Sequence, residues 1–338
     1  MYKNKMILIV LSFIVSSFGL CQRNISIIDL ENMNILKPEF LIVHDDYVYV
    51  YDEPTGQVCK IDGGFLRKRF GKKGQGPQEH QLVHNIGIYK NKIWLSCKRG
   101  KLLYYDLNGL YLEKSGLSVG ELNWKGLVKI IDVSKWIEMK MQFTSNGLVV
   151  KSYVFVERSK KSIVLTEKTV NIKVLNKRKI IFEELSQEPI VTFGNRYGYV
   201  VDDTREFCIK RFDTREQKFD NQLVNRGYHR LPLNDQRLNK YQEQIKKYQR
   251  MAGGMKFEFI LPKKLPAIRN IFSDNQDNLY VMTNEQSGKK YKLKFYNRNL
   301  NFQRDLYILK PELLKVLKNK IYTIVERNGN FFLLKYSI

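Results

Sequence analysis

Asp45-Asp46-Tyr47-Val48-Tyr49-Val50 runs from a polar turn into a strand of aromatic and β-branched residues, and the chain returns to this pattern five more times. The next copies are Asn91-Lys92-Ile93-Trp94-Leu95 and Ser134-Lys135-Trp136-Ile137. Arg196-Tyr197-Gly198-Tyr199-Val200-Val201, Asp277-Asn278-Leu279-Tyr280-Val281 and Asn319-Lys320-Ile321-Tyr322-Thr323 complete the set. Aligned on Tyr49, Trp94, Trp136, Tyr199, Tyr280 and Tyr322, the copies stand 45, 42, 63, 81 and 42 residues apart. Three intervals agree and two carry insertions. Aromatic and β-branched side chains fit a pleated, half-buried surface, while Asp, Asn and Gly close the bends between strands.

A second landmark follows most of these strands. Ile61-Asp62-Gly63-Gly64, Tyr105-Asp106-Leu107-Asn108-Gly109, Phe212-Asp213-Thr214-Arg215 and Tyr296-Asn297-Arg298-Asn299 lie 12 to 17 residues after the repeat aromatic. The third copy, Phe155-Val156-Glu157-Arg158, comes later and is degenerate. Each pair of landmarks reads as two antiparallel strands and a turn. Six such units predict an all-β chain folded as a six-bladed β-propeller. The last unit ends after Phe331-Phe332-Leu333-Leu334-Lys335-Tyr336, one strand short, and Ile25-Ser26-Ile27-Ile28-Asp29-Leu30 has no unit of its own. Pairing the two closes the ring and covers both open edges. One helical insertion is predicted at about 233–250, where Leu238, Tyr241, Ile245 and Tyr248 recur at helical spacing between Pro232 and Gly253-Gly254. Its apolar stripe is expected to pack on the side of the propeller.

Composition agrees with this reading. Only two of 338 residues are alanine, Ala252 and Ala267, against 20 Tyr and 19 Phe, a balance that favours strands over helices. A 43% hydrophobic content excludes a chain held open by its own charge, and the lack of an apolar run of 18 residues excludes a polytopic membrane protein. Residues 22–338 are therefore expected to form a single propeller domain.

The first 21 residues read as a signal peptide. Lys3 and Lys5 precede an apolar stretch from Met6 to Val15, and the small residues Ser16, Ser17 and Gly19 follow. The stretch is too short to span a membrane, so export is expected, to the periplasm, the outer membrane or the exterior. Cleavage fits after Gly19 or after Cys21. Alternatively Cys21 is lipidated, although Phe18-Gly19-Leu20 matches a lipoprotein signal only loosely. Cys59, Cys97 and Cys208 remain; three cannot all pair within one chain, none forms a Cys-x-x-Cys unit, and buried small hydrophobes is the default reading.

Arg69-Phe70-Gly71-Lys72-Lys73-Gly74-Gln75-Gly76-Pro77-Gln78-Glu79 resembles a Gly-x-x-Gly-x-Gly-Pro-x-Glu segment of the exported six-bladed β-propellers of Bacteroidetes, which are similar in shape to NHL- and TolB-like propellers. Leu261-Pro262-Lys263-Lys264-Leu265-Pro266-Ala267-Ile268, ahead of Phe272-Ser273-Asp274, resembles a later part of the same family. The match departs at Gln78, where the family usually has Gly, and in the third blade. The resemblance implies a fold and a compartment, and no reaction.

Other constellations contain residue types that can carry chemistry. Gly71, Gly74 and Gly76 beside Lys72 and Lys73 invite comparison with a phosphate cradle, but Pro77 stands where the Walker pattern has Lys-Ser or Lys-Thr, so an interblade turn is expected. Asp45-Asp46, Asp202-Asp203 and the group Asp274, Asn275, Asp277, Asn278 lack the ligand order of a calcium loop and read as turn residues. His80 and His84 are four apart without an adjacent Glu; His44 and His229 are the remaining histidines. The six repeat aromatics read as interblade packing ahead of an aromatic cage. No catalytic, cofactor-binding or metal residue is expected, and no cofactor.

The functional expectation is a non-catalytic scaffold binding a protein or glycan ligand, with a metal-dependent lyase- or lactonase-like enzyme at the central channel as the alternative. The formal charge of +24, from 58 Lys and Arg against 34 Asp and Glu, is spread along the chain. It is open to two readings, compositional drift or an attraction for an anionic ligand. Nucleic acid is not an expected partner, membrane contact is expected only through a lipid anchor, and a monomer is expected. The deciding feature is which side chains face the channel.

Overall fold

The computed structural model describes residues 25–338, apart from 77, 99–100, 115–126, 133, 144–148, 158–161, 171, 177–178, 184–188, 234–237, 240–241, 244–245, 247–249, 251–255 and 261–262. Residues 1–21, read above as a signal peptide, and with them Cys21, lie outside the described residues.

Six four-stranded antiparallel sheets form a ring, one for each repeat. Blade 1 consists of Pro38–His44, Tyr47–Asp52, Gln57–Asp62 and Phe65–Phe70, numbered from the axis outward. Blade 2 is Val83–Tyr89, Lys92–Cys97, Lys101–Asp106 and Tyr111–Lys114, and blade 3 is Leu127–Asp132, Lys135–Phe143, Val149–Glu157 and Ile163–Val170. Blade 4 is Ile190–Phe193, Tyr197–Val201, Cys208–Asp213 and Lys218–Val224. Blade 5 is Asn270–Ser273, Leu279–Ser287, Lys290–Tyr296 and Phe302–Leu309. Blade 6 takes Leu313–Leu317, Lys320–Arg327 and Asn330–Ser337 from the end of the chain and Ile25–Asp29 from its beginning.

That last pairing closes the ring as the sequence predicts. Ile25 lies opposite Tyr336 and Asp29 opposite Phe332, and the Leu30 amide donates to the Phe331 carbonyl at 3.0 Å. Leu30 is fully buried in a cluster that joins blades 6 and 1 through Val50, Cys59, Tyr322 and Leu333. On the surface, Lys318 and Lys320 pair with Asp45 and Asp46 across the same junction.

Every repeat aromatic sits on the second strand of its blade. Tyr49, Tyr199 and Tyr280 have no exposed surface, and Trp94 and Tyr322 retain 2%. Each contributes one large side chain to the packing between sheets, which accounts for the aromatic surplus. Their hydroxyls are used too: Tyr49 donates to the Leu107 carbonyl of blade 2 at 3.0 Å, and Tyr199 donates to the Asp277 carbonyl of blade 5. Opposite these two tyrosines, Lys60 and Arg211 reach the same neighbouring blades, Lys60 at Asn108 and Arg211 at the Arg298 carbonyl. Trp136 of the degenerate third blade is only half-buried, and its indole N–H donates to Glu138 at 3.3 Å.

The two long intervals between repeats have a common outcome. Ile172–Asn176 and Lys179–Glu183 come from the first, Lys256–Ile260 from the second, and together they form a seventh, three-stranded sheet. Lys179–Glu183 and Lys256–Ile260 run parallel, an arrangement that joins segments far apart in sequence. The helical insertion at 233–250 falls largely outside the described residues; Leu238, Asn239, Gln242, Glu243, Lys246 and Arg250 within it have helical backbone.

Candidate functional site in the central channel

The innermost strands of the six blades stand around the axis and enclose a channel with two adjoining compartments. One, of about 340 Å³, lies where these strands begin and includes Phe40, Arg269, Asn270 and Glu312. The other, of about 330 Å³, lies towards their ends and includes Ile42, Lys129, Thr192, Phe193, Ser273 and Lys315. Asn85, Ile86, Phe272, Leu314 and Lys315 border both, so Lys315 stands at the middle of the channel.

Strand register explains which residues arrive there. Ile42, Gly87, Thr192, Phe272 and Lys315 each lie directly opposite the repeat aromatic of their own blade. In blade 3 irregularities in the pairing shift the register, and Lys129 faces Ile137. Gly87 is required by its neighbour: a Cβ there would fall 2.3 Å from the Trp94 ring, so the indole lies directly on the inner strand.

Two cations therefore enter from opposite sides of the ring, Lys129 from blade 3 and Lys315 from blade 6. Lys315 lies between Leu314 and Val316, which are buried in the core, and its own side chain is exposed towards the channel while the ring surrounds it. Lys129 crosses to blade 4 and donates to the Phe193 and Gly194 carbonyls. Enclosure pushes the Lys129 ammonium pKa down to about 8, against the attraction of Asp277, and the charge of Lys315 adds to the shift. Burial lowers Lys315 as well.

The other polar groups on the wall are mostly committed. Asn85 accepts from the Ile86 amide and donates to the Leu127 and Val128 carbonyls, joining blades 2 and 3. The Asp274 carboxylate accepts from the Gln276 and Asn278 amides, the Asn278 side chain and the Tyr280 hydroxyl. Among the described residues, no group of three or more His, Cys, Asp or Glu is placed to hold a metal ion.

The glycine loop and the turn aspartates among the remaining sequence candidates have structural partners. In the glycine loop the Gly76 amide donates to the Glu79 carboxylate at 2.9 Å, and Lys72 pairs with the same carboxylate at 2.8 Å. Lys101 of blade 2 donates to the Gly76 and Glu79 carbonyls, so a carboxylate and a lysine from within the chain hold this loop. Asp213 and Asp203 accept from amides two residues ahead, as turn residues do, and Asp202 pairs with Lys210. His80 is buried against Tyr51, and burial lowers its pKa. Cys59 and Cys97 are buried free thiols, pushed up to about 11 and 12 by burial, and Cys208 is half-buried and free. Lys129 and Lys315 carried no signal as single residues. Counting back seven positions from Trp136 and Tyr322, to the strand that precedes each aromatic strand, finds both.

Comparison with known proteins supports the architecture. The chain is similar in structure to a Bacteroides fragilis protein described as a "Putative exported protein", with a TM-score of 0.53 over 93% of this chain and 94% of the other. Sequence identity is 12%, so the likeness concerns the fold. No family model and no curated protein matches the chain.

Proposed function

We propose that this protein is an exported, non-catalytic β-propeller that binds a solute in its central channel. The observation that carries this reading is the wall itself, where six rigid blades bring polar and charged side chains from distant parts of the sequence to one enclosed space. A cavity of about 330 Å³ lies at the lower end of the size range of small-molecule sites. Two lysines line the second compartment, while Asp274 there is held by its own turn, an arrangement that suits binding and electrostatic selection. The metal-dependent alternative would require several converging carboxylates or imidazoles, and the described wall does not supply them.

Export is supported by the order of Lys3, Lys5, the apolar stretch and the small residues, and by the name of the similar Bacteroides protein. The periplasm, the outer membrane and the exterior all suit such a scaffold, and Cys21 would serve as the anchor if lipidated. Thermal-shift screening of residues 22–338 against small solutes tests the channel, with Thr192→Phe as a variant whose ring fills it. Solutes that stabilise the parent and fail to stabilise Thr192→Phe support the reading. Stabilisation that persists in that variant places binding elsewhere and refutes it.

A further inference from the structure

Apolar side chains line the second compartment on every side, Phe193 and Phe272 among them, and its two ammonium groups and two hydroxyls come from one run of neighbouring blades. Blades 3 to 6 contribute, in ring order, Lys129, Thr192, Ser273 and Lys315, so two ammonium groups bracket two hydroxyls. Blades 1 and 2 contribute mainly apolar groups, Ile42, Val43, Ile88 and Trp94, together with Asn85, whose side chain is held by the Ile86 amide and the Leu127 and Val128 carbonyls.

Donors in the polar arc outnumber the partners that the chain offers them. Thr192 Oγ1 and Ser273 Oγ lie 3.1 Å apart and share one hydrogen bond, which leaves one of their two hydroxyl protons to point elsewhere. An ammonium carries three N–H bonds, and Lys129 gives two of them to Phe193 and Gly194. Among the described residues, Lys315 Nζ has no hydrogen-bond or ion-pair partner. The Trp94 indole N–H, on the same compartment, is buried and also unpaired. The nearby carboxylates are engaged: Asp274 by its own turn, Asp277 by the Arg196 and Tyr197 amides, and Glu312 by Lys310. Two enclosed cations without a carboxylate between them are costly unless an anion joins them.

We propose that the Lys129–Thr192–Ser273–Lys315 arc binds the carboxylate of a small hydroxylated organic acid of the sugar-acid class. Its carbon–hydrogen face would rest on Ile42, Ile88 and Trp94. This inference rests on the channel being the binding site, and it names the ligand chemistry. The arrangement combines charge-assisted hydrogen bonds at one end with apolar contact at the other, in a space sized for one ring. A free acid and the terminal residue of an acidic polysaccharide present the same group.

Titration calorimetry with glucuronate, an oligomer of glucuronate, glucose and inorganic phosphate tests the proposal. One saturable glucuronate site is expected, with glucose undetected and phosphate at least tenfold weaker. Lys315→Met and Lys129→Met should each weaken glucuronate binding by about tenfold or more, and Lys315→Arg should restore part of it. Circular dichroism of each variant checks that the fold persists. Tighter binding of the oligomer than of glucuronate identifies a polysaccharide end as the source, and equal or weaker binding identifies the free acid. Glucose and glucuronate binding alike, unaffected by Lys315→Met but lost in Thr192→Phe, would overturn the acid and leave the channel as a site. Phosphate binding without glucuronate would overturn the organic acid. No binding of any probe would overturn the inference, while solutes found by thermal shift would still decide the channel reading separately.

Discussion

The innermost and second strands of each blade lie side by side and follow opposite rules. On the second strand, Tyr49, Trp94, Trp136, Tyr199, Tyr280 and Tyr322 repeat one chemistry six times, and five of the six are almost wholly buried. On the innermost strand, Ile42, Gly87, Thr192, Phe272 and Lys315 occupy the matching register positions, with Lys129 displaced by the irregular pairing of blade 3. There the chemistry changes from blade to blade. Repetition holds the ring together because each sheet must fill the same gap against its neighbour. Variation marks the axis, where residues of five types from six blades meet in one cavity and no two need to match.

The contrast is open to direct attack, and the largest effect should come from the repeated position. Tyr199→Ala is expected to cost about 3–5 kcal/mol of unfolding free energy, because it leaves a ring-sized void in a packed interior. Tyr199→Phe should lose about 1 kcal/mol through its hydrogen bond to the Asp277 carbonyl. Both are measured by denaturant unfolding. A comparable loss in Thr192→Val, on the facing strand, would refute the division between the two strands.

The second effect is a pH dependence. Below pH 8 Lys129 is charged in both states, and its enclosure counts fully against the fold. As pH rises through about 8, the folded state releases its proton while the unfolded state, near 10.5, keeps it. The unfolded state then binds more protons, so this contribution to stability rises with pH. The buried thiols Cys59 and Cys97, raised by burial, act in the opposite sense but are common to parent and variant. Melting temperatures of the parent and Lys129→Met between pH 7.5 and 9.5 should therefore converge or cross in favour of the parent as pH rises. A constant difference would mean that Lys129 is not desolvated by the ring.

His80 gives a smaller effect at the acid end. Burial holds its folded pKa below the ordinary value of 6.5, so the unfolded state takes up the proton first and stability falls as pH drops below that value. Replacing it by Gln should flatten this part of the curve relative to the parent, and an unchanged slope would remove His80 as its source. The smallest loss belongs to the inner strand: Lys315→Met should lower unfolding free energy by no more than about 0.5 kcal/mol in the absence of ligand, because it removes an enclosed cation and no packed group. A large loss would show that the fold needs this cation, in contradiction to its role as a variable position.

The six-bladed ring was legible because its signal is local and repeated. A turn, an aromatic strand and a second turn can be recognised within a few dozen residues, and Ile25–Leu30 could be assigned to the last blade as the one strand without a sheet. Turn aspartates such as Asp106 and Asp213 were also legible, since an Asx side chain bonds amides only two to four residues away. The seventh, three-stranded sheet was not, because Lys179–Glu183 and Lys256–Ile260 are paired across an entire blade of intervening chain.

The charge shows the same boundary. Sequence determined that the chain carries +24 and that a lysine stands seven residues before Trp136 and another seven before Tyr322. Nothing in either segment distinguishes these two from the many lysines that face bulk water. Only closure of the ring, which brings blades 3 and 6 to opposite sides of a channel, gives them a common enclosure. Local hydrogen bonding and side-chain alternation can be read along a chain, whereas the electrostatic cost of an enclosed cation depends on every blade around it.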